Sequence, residues 1–481
     1  MPNVPKRILW VDDEVELFQP HLLFLRQRGY EVDVTTNGDD ALELARTRAY
    51  DLVLLDEQMP GRRGVDVLPE LRRAEPQARF VMVTKSEEDG TLRDAIGRGV
   101  DDYLVKPASP RQVLSVATRL LEGSQLQQQR AAQDFAARFG ALSQLRNEAA
   151  GWRDYFALYD ELVEWDLRLY EAGERGLADS VRALLADVRR AFGGFVVREY
   201  GGWTAVGGGA ADRPPLSVDV VERWLLPQLG ERGVLFIVVD CLRLDQWRVL
   251  RPLLVSEFEV SESLYASILP TSTPYARNAL FSGAYPDEIA RANPEWWGRD
   301  EGSLNAFEDR LLREQLRRLA GRDVPLYYEK VFSDGAADEL VARARSALSG
   351  GGVVSLVFNF IDLLTHGRSE NAILMEVARD VPALRALTRQ WFEHSALYRV
   401  LREAAAAGVP AVFTTDHGSI LCERPLTVHA RRDATNNLRY KFGQNLRAET
   451  GAAVFALADG SALRFPSGRL ATNYLLALED Y

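Results

Sequence analysis

Three apolar runs in the second half of the chain each end in an acid or in an acid and a histidine, and few folds accommodate such a pattern. Val234–Val239 precedes Asp240, Val353–Phe360 precedes Asp362 and His366, and Val409–Thr415 precedes Asp416 and His417. The runs read as strands. In parallel α/β sheets, ligands bind just beyond the carboxyl ends of the strands. These runs therefore bring five metal-ligating side chains to one sheet edge, as a catalytic metal centre requires.

At 481 residues the chain is too long for one compact domain. With 47% apolar and 26% charged residues it can bury sizeable cores. A net charge of −11 argues against a broad nucleic-acid-wrapping surface. Two cysteines, Cys241 and Cys422, make no disulfide framework, which points to a reducing cytoplasm. No uncharged stretch approaches the roughly 20 residues of a membrane span, and no secretory leader opens the chain, so no membrane insertion is expected.

Residues 6–122 alternate strands at Ile8–Val11, Glu31–Thr35, Leu52–Leu55, Phe80–Thr84 and Asp102–Val105 with amphipathic helical patterns, four between the strands and one after. This predicts a doubly wound (βα)5 domain over residues 1–122. From Gln125 to about Phe192 the pattern is helical only, which predicts a helical bundle or linker over 123–200. The pairs Gly193-Gly194 and Gly201-Gly202 break that pattern and suggest a hairpin around Phe195–Thr204. Strands and helices alternate again to the last residue, which gives a second α/β domain over 201–481.

In the first domain, Asp12 and Asp13 follow the first strand and Asp56 ends the third. Such carboxylates converge at the sheet edge and suit Mg²⁺. Lys106 would neutralise charge as a phosphoryl group moves to Asp56. The order Asp12-Asp13, Asp56, Thr84, Tyr103 and Lys106-Pro107 resembles response-regulator receiver domains. That resemblance implies that Asp13 and Asp56 bind Mg²⁺ directly with help from Asp12. It also implies that Thr84 bonds the phosphoryl oxygens, that Tyr103 is the switch aromatic, and that Pro107 follows a cis peptide.

In the second domain, Asp362 and His366 are spaced to face one ion from a helical turn. Mixed Asp/His ligation favours Zn²⁺ over Mg²⁺ or Ca²⁺, with Mn²⁺ the alternative, and five ligands suggest a two-metal site. Pro274 fits the first position of a helix, which makes Thr273 its N-cap, a place where a phosphate would bind. A metal contact would make the Thr273 hydroxyl a nucleophile; Thr271 is the alternative. Arg431, Arg432, Arg439 and Lys441 concentrate positive charge, with Tyr440 available to stack on a base. Arg439, Lys441 and Asn278 are candidate substrate contacts. Of the other histidines, His429 is a surface-loop residue that could stand in as a ligand, and His394 is structural.

Asp240, the Pro270-Thr271-Ser272-Thr273-Pro274 segment, Asp362/His366 and Asp416/His417 together resemble the alkaline-phosphatase superfamily and, within it, the PglZ domain. Joined to a receiver through a helical segment, the chain resembles the PorX-type response regulators. The resemblance implies one Zn²⁺ held by Asp240, Thr273, Asp416 and His417, and a second held by Asp362 and His366. It implies phosphodiesterase or phosphatase chemistry on nucleotide- or oligonucleotide-type substrates, a cognate sensor histidine kinase, dimerisation on phosphorylation, and regulation of type IX secretion. The family adds a metal-binding His in a Gln-His-Gly-Gly-like stretch near its C-terminus. Leu476–Tyr481 carries no such stretch, so either the sequence is truncated or the second metal is under-ligated. A catalytically inactive scaffold that binds a downstream protein is the alternative function. A DNA-binding output fits poorly, because the segment after residue 122 is Gln/Ala-rich and shows no basic helix-turn-helix.

Overall fold

The computed structural model describes residues 5–75, 78–85, 100–207, 212–297, 301–333, 335–431, 434–435, 437–449, 453–466 and 472–481. The first sheet comprises β1 (Arg7–Val11), β2 (Glu31–Thr35), β3 (Leu52–Asp56), β4 (Arg79–Thr84) and β5 (Asp102–Val105). All pairs are parallel, in the order β2-β1-β3-β4-β5. Helices α1 (Gln19–Gln27), α2 (Gly38–Thr47) and α3 (Gly64–Ala74) connect the first strands. The fourth helix expected between β4 and β5 lies outside the described residues. β3 is buried along its whole length because helices cover both faces of the sheet. The Lys106–Pro107 peptide is cis, as the receiver resemblance implied.

Three long helices follow: α4 (Pro110–Glu148), α5 (Trp152–Glu171) and α6 (Arg175–Trp203). Between α4 and α5, Arg138 donates to both carboxylate oxygens of Glu161 at 2.7 and 2.9 Å. Between α5 and α6, the Tyr155 ring lies 5.5 Å from Phe192 and 5.2 Å from Phe195. The hairpin expected at Phe195–Thr204 is absent, and α6 runs through both glycine pairs. Phe195, Tyr200 and Trp203 are buried from that stretch, so packing outweighs the intrinsic cost of its glycines.

The second sheet has the order β7-β8-β6-β9, all parallel. Its strands are β6 (Val234–Val239), β7 (Leu326–Val331), β8 (Val353–Phe358) and β9 (Ala411–Thr414). β8 stops two residues before the end of the apolar run that announced it, because Phe360 already begins a helix. All six β6 residues are fully buried, each contributing about 1.5–3 kcal/mol relative to exposure. This sheet is covered by α7 (Leu244–Leu250), α8 (Thr273–Ser282), α9 (Pro286–Ala292), α10 (Glu308–Ala320), α11 (Ala337–Ser349), α12 (Phe360–Glu370), α14 (Val381–His394) and α15 (Ala396–Ala406), while α13 (Ala372–Val377) buries no residue. A small antiparallel sheet closes the chain, formed by Tyr440–Gly443, Asn473–Ala477 and Val454–Leu457. Among the described residues no helix is long and apolar enough to cross a membrane.

Candidate functional site

The strand order explains why the three acid-tipped runs matter together. β6 is flanked by β8 and β9, with Val239 level with Phe358 and Val238 level with Thr414. Asp240, Asp362 and Asp416 are thus carried just beyond the carboxyl ends of three adjacent strands. Ligand atoms of Asp240, Asp362 and His417 lie within 4.8 Å of one another. His417 Nε2 is 3.4 Å from Asp240 Oδ1 and 3.8 Å from Asp416 Oδ2. His417 Nδ1 donates to Gly418 O at 3.0 Å, which leaves Nε2 as the nitrogen facing the cluster.

Thr273 joins this group. Its Oγ1 is 2.9 Å from His417 Nε2 and donates to Asp240 Oδ1 at 3.2 Å. Helix α8 begins one residue earlier than expected. Ser272, in extended conformation, is the N-cap, and Thr273 is the first helical residue with Pro274 behind it. The shift arises because Pro274 is tolerated at the second helical position as well as the first. Among the described residues Thr273, and not the exposed Thr271, is the hydroxyl within bonding distance of Asp240 and His417.

His366 stands apart. It lies one turn after Asp362 on α12 with its Nε2 3.4 Å from Asp362 Oδ1, yet its side chain is 77% exposed. Asn278 is buried, and its amide donates to Pro274 O and Leu304 O, which ties it to the protein's own backbone. Arg439 donates to Tyr481 O and Lys441 to Thr435 O at 3.1 Å. Tyr440 packs edge-on against Tyr275 of α8 at 6.2 Å. His429 is exposed on a short strand paired with Arg447. Arg432 lies outside the described residues.

Three residues that the sequence did not single out hold the centre. Arg277 Nη1 donates to Asp240 Oδ2 at 2.5 Å, while its Nε donates to Glu308 at 2.7 Å. Asn359 Nδ2 donates to the same Asp240 oxygen at 2.9 Å. Arg277 follows Thr273 by one helical turn, which was a usable signal. Glu308 and Asn359 gave none, because only the tertiary fold brings them in. Burial first, then Asp416, pushes the Asp240 carboxyl up to about 6, against the pull of Arg277 and His417. Burial and Asp240 raise Asp362 likewise. For His417, burial disfavours the charged ring, but Asp416, Cys241 and Asp240 hold it well above its ordinary value. Glu308 falls below the usual carboxylate range; burial opposes this, and Arg277 and Lys330 overcome it.

The donor set of carboxylates, an imidazole and a hydroxyl suits Zn²⁺. Asp416 Oδ2 fits this: it is buried and has no hydrogen-bond partner among the described residues.

In the first domain, ligand atoms of Asp12, Asp13 and Asp56 also lie within 4.8 Å of one another, an all-oxygen set that fits Mg²⁺. Lys106 Nζ bridges Asp12 Oδ2 at 2.8 Å and Asp56 Oδ2 at 2.9 Å. Burial raises the Asp56 carboxyl, helped by Asp12 and opposed by Lys106. Only glycine fits at position 64, where a Cβ would sit 2.1 Å from Asp56 O. Thr84 Oγ1 donates to Glu57 at 2.6 Å, and Tyr103 is exposed.

The fold and the two acidic centres define a response regulator whose output is a phosphatase-like domain. Residues 8–118 match the response regulator receiver domain, 125–204 the PorX response regulator linker domain, and 220–461 the BREX system PglZ alkaline phosphatase-like domain. The chain belongs to the PglZ alkaline phosphatase-like family and, with its receiver and linker, is a PorX-type response regulator. A receiver implies a cognate kinase. The receiver segment is 37% identical over 115 residues to the transcriptional regulatory protein ResD of Bacillus subtilis, covering 24% of this chain and 48% of that protein. It is 38% identical over 120 residues to the alginate biosynthesis transcriptional regulatory protein AlgB of Pseudomonas aeruginosa, covering 25% and 27%. The chain thus spans about half or less of the length of these curated relatives. A CheY-like receiver domain protein of Methanospirillum hungatei is 28% identical with a TM-score of 0.24, covering 25% of this chain and 96% of that one.

Proposed function

We propose that this chain is a phosphorylation-controlled, zinc-dependent phosphodiesterase or phosphatase acting on nucleotide- or oligonucleotide-type phosphodiesters. The observation that carries the reading is the Thr273 hydroxyl at the start of α8, within hydrogen-bonding distance of both Asp240 and His417. Asp240, Thr273, Asp416 and His417 would hold one zinc, and Asp362 with His366 a second. Zinc bound there would polarise the phosphoryl oxygens and make the hydroxyl more acidic. Of the chain's own groups, Thr273 offers the oxygen that attacks phosphorus as the bond from phosphorus to the leaving alcohol's oxygen breaks, Asp240 Oδ1 accepts the hydrogen of Thr273, and water then hydrolyses the phosphothreonine. Arg277 and Asn359 grip the other Asp240 oxygen, so the carboxylate cannot turn away. The positive end of α8 favours the incoming anion. Tyr440, beside α8, with Lys441 next to it on the strand and Arg439 just before the strand, would contact the substrate.

Control belongs to the receiver, taken as residues 1–122, acting through the linker, 123–200, on the output domain, 201–481. A sensor histidine kinase phosphorylates Asp56 with Mg²⁺ held by Asp12, Asp13 and Asp56, while Lys106, Thr84 and Tyr103 respond. Phosphorylation promotes homodimerisation, and the cytoplasmic protein serves regulation of type IX secretion. The test measures zinc content and hydrolysis of bis-p-nitrophenyl phosphate in wild type and in Thr273→Ala. About two zinc ions per chain are expected, with turnover falling at least about 100-fold in the variant. Equal rates in both proteins, with no zinc retained, would favour an inactive scaffold instead.

A further inference from the structure

Asp166 lies on α5, outside the centre described above, with its carboxylate buried at 5% exposure. A charge at that depth persists where other charges replace its water. Arg182 of α6 reaches Oδ1 at 2.9 Å, and Arg385 of α14, itself 3% exposed, reaches Oδ2 at 2.8 Å. One carboxylate is therefore shared between a linker helix and a helix that covers the output sheet.

The chain of charges continues toward the centre. Arg385 Nε lies 3.7 Å from Asp245 Oδ2. Asp245 in turn holds Arg243 through hydrogen bonds of 2.8 and 2.7 Å. The stem of Arg243 packs on the turn that carries His417, since a Cβ on Gly418 would sit 3.3 Å from Arg243 Cγ. Gly418 O is the acceptor that orients the His417 ring. The neighbouring residues are fastened to the same turn, Leu242 N donating to Thr415 Oγ1 at 3.1 Å and Cys241 N to Asp416 Oδ1 at 3.3 Å.

We propose that Asp166 is a positioning residue through which the linker helices set the geometry of the Asp240–His417 centre. The proposal rests on the phosphodiesterase reading above for its effect on turnover, though not for its effect on structure. Because Arg182 belongs to the linker itself, α5 can shift with Arg182 still paired and release Arg385. The buried Arg385, already 3.7 Å from Asp245, then loses its other partner, closes on Asp245 and competes with Arg243 for it. Arg385 shared with Asp166 and Arg385 released from it are the two arrangements that coupling between distant sites needs. The route into α5 is polar as well: α4 follows directly from the receiver sequence without a break, and its Arg138 clasps Glu161 of α5 through both carboxylate oxygens.

The test uses the full chain with zinc, comparing wild type, Asp166→Asn and the conservative Asp166→Glu. Hydrogen exchange over residues 241–247 and 415–419 is followed with and without beryllofluoride, which mimics the acyl phosphate at Asp56. kcat and KM for bis-p-nitrophenyl phosphate are measured alongside. Wild type should change its exchange in both segments and its kcat by about fivefold or more. Asp166→Asn should lose both responses with its zinc content and basal KM unchanged, and Asp166→Glu, which keeps the charge between Arg182 and Arg385, should retain them. A wild-type response in Asp166→Asn, accompanied only by a lower melting temperature, would reduce Asp166 to a structural role and overturn the proposal. Wild-type segments that ignore beryllofluoride would overturn it too. If the exchange responses follow Asp166 while no protein turns over substrate, the coupling stands and the phosphodiesterase reading falls.

Discussion

Asp245 shows how one buried charge sets the pH range over which the output domain is stable. Burial opposes its ionised form, but Arg243, and behind it Arg385, hold its carboxyl below the usual range. A depressed carboxyl binds fewer protons folded than unfolded. Its contribution is therefore complete above the unfolded value near pH 4 and is lost as pH falls through the folded one. Asp245→Asn should cost about 3 kcal/mol at pH 7, because it strands Arg243 in the interior. The gap from wild type should hold to about pH 5 and close below about pH 4. Urea unfolding at a series of pH values checks this; a gap that widens on acidification would refute the assignment. Residues of this kind were only partly legible. Asp240, Asp362 and Asp416 were visible because each follows a short apolar run that a sheet must bury, which fixes where the acid ends up. Glu308 and Asn359 were not, because Glu308 meets Arg277 across 31 residues of chain and Asn359 meets Asp240 across 119. No local pattern encodes such a meeting.

At the scale of elements, the five receiver strands and β6, β8 and β9 were readable to within two residues, because parallel strands of this kind are short, apolar and bounded by turn residues. β7, with the sequence LYYEKV, was missed because it is only partly buried and carries Glu329 and Lys330. Helix α6 went wrong for the opposite reason. Glycine pairs at 193–194 and 201–202 signal a break locally, whereas the helix is carried through by Phe195, Tyr200 and Trp203 packing beneath it. That mismatch yields a prediction. Gly201 is exposed inside a helix, and a Cβ there meets nothing within 4 Å. Gly201→Ala should therefore stabilise the linker by about 0.5–1 kcal/mol, by reducing the freedom of the unfolded chain without touching the native contacts. A shift of the urea midpoint to higher concentration, with unchanged slope, is the expected result. A lower midpoint would mean that residue 201 needs a backbone only glycine adopts.

For the whole molecule, the division of the chain into two compact units has a thermodynamic consequence. One unit comprises Met1–Ala137 with Leu169–Glu174, and the other Arg138–Arg168 with Arg175–Tyr481. Each has its own buried clusters, on both faces of the receiver sheet in the first and of the β7-β8-β6-β9 sheet in the second. Each also has its own candidate ion site, all oxygen in one and mixed carboxylate and imidazole in the other. A ligand that binds one folded unit stabilises that unit alone, by about 2.7 kcal/mol at a hundredfold excess over its dissociation constant. Calorimetry should therefore show two transitions. Mg²⁺ with beryllofluoride should raise one, by about 10 °C for a unit of the receiver's size. Zinc should raise the other by less, because the same free energy is spread over a larger unfolding entropy. Asp56→Asn should abolish the first shift and leave the second, and Asp240→Asn should do the reverse. A single transition moved equally by either ligand would mean that the two cores unfold as one, and phosphorylation would then reach the phosphatase-like domain through shared stability and not through the buried charges of the linker.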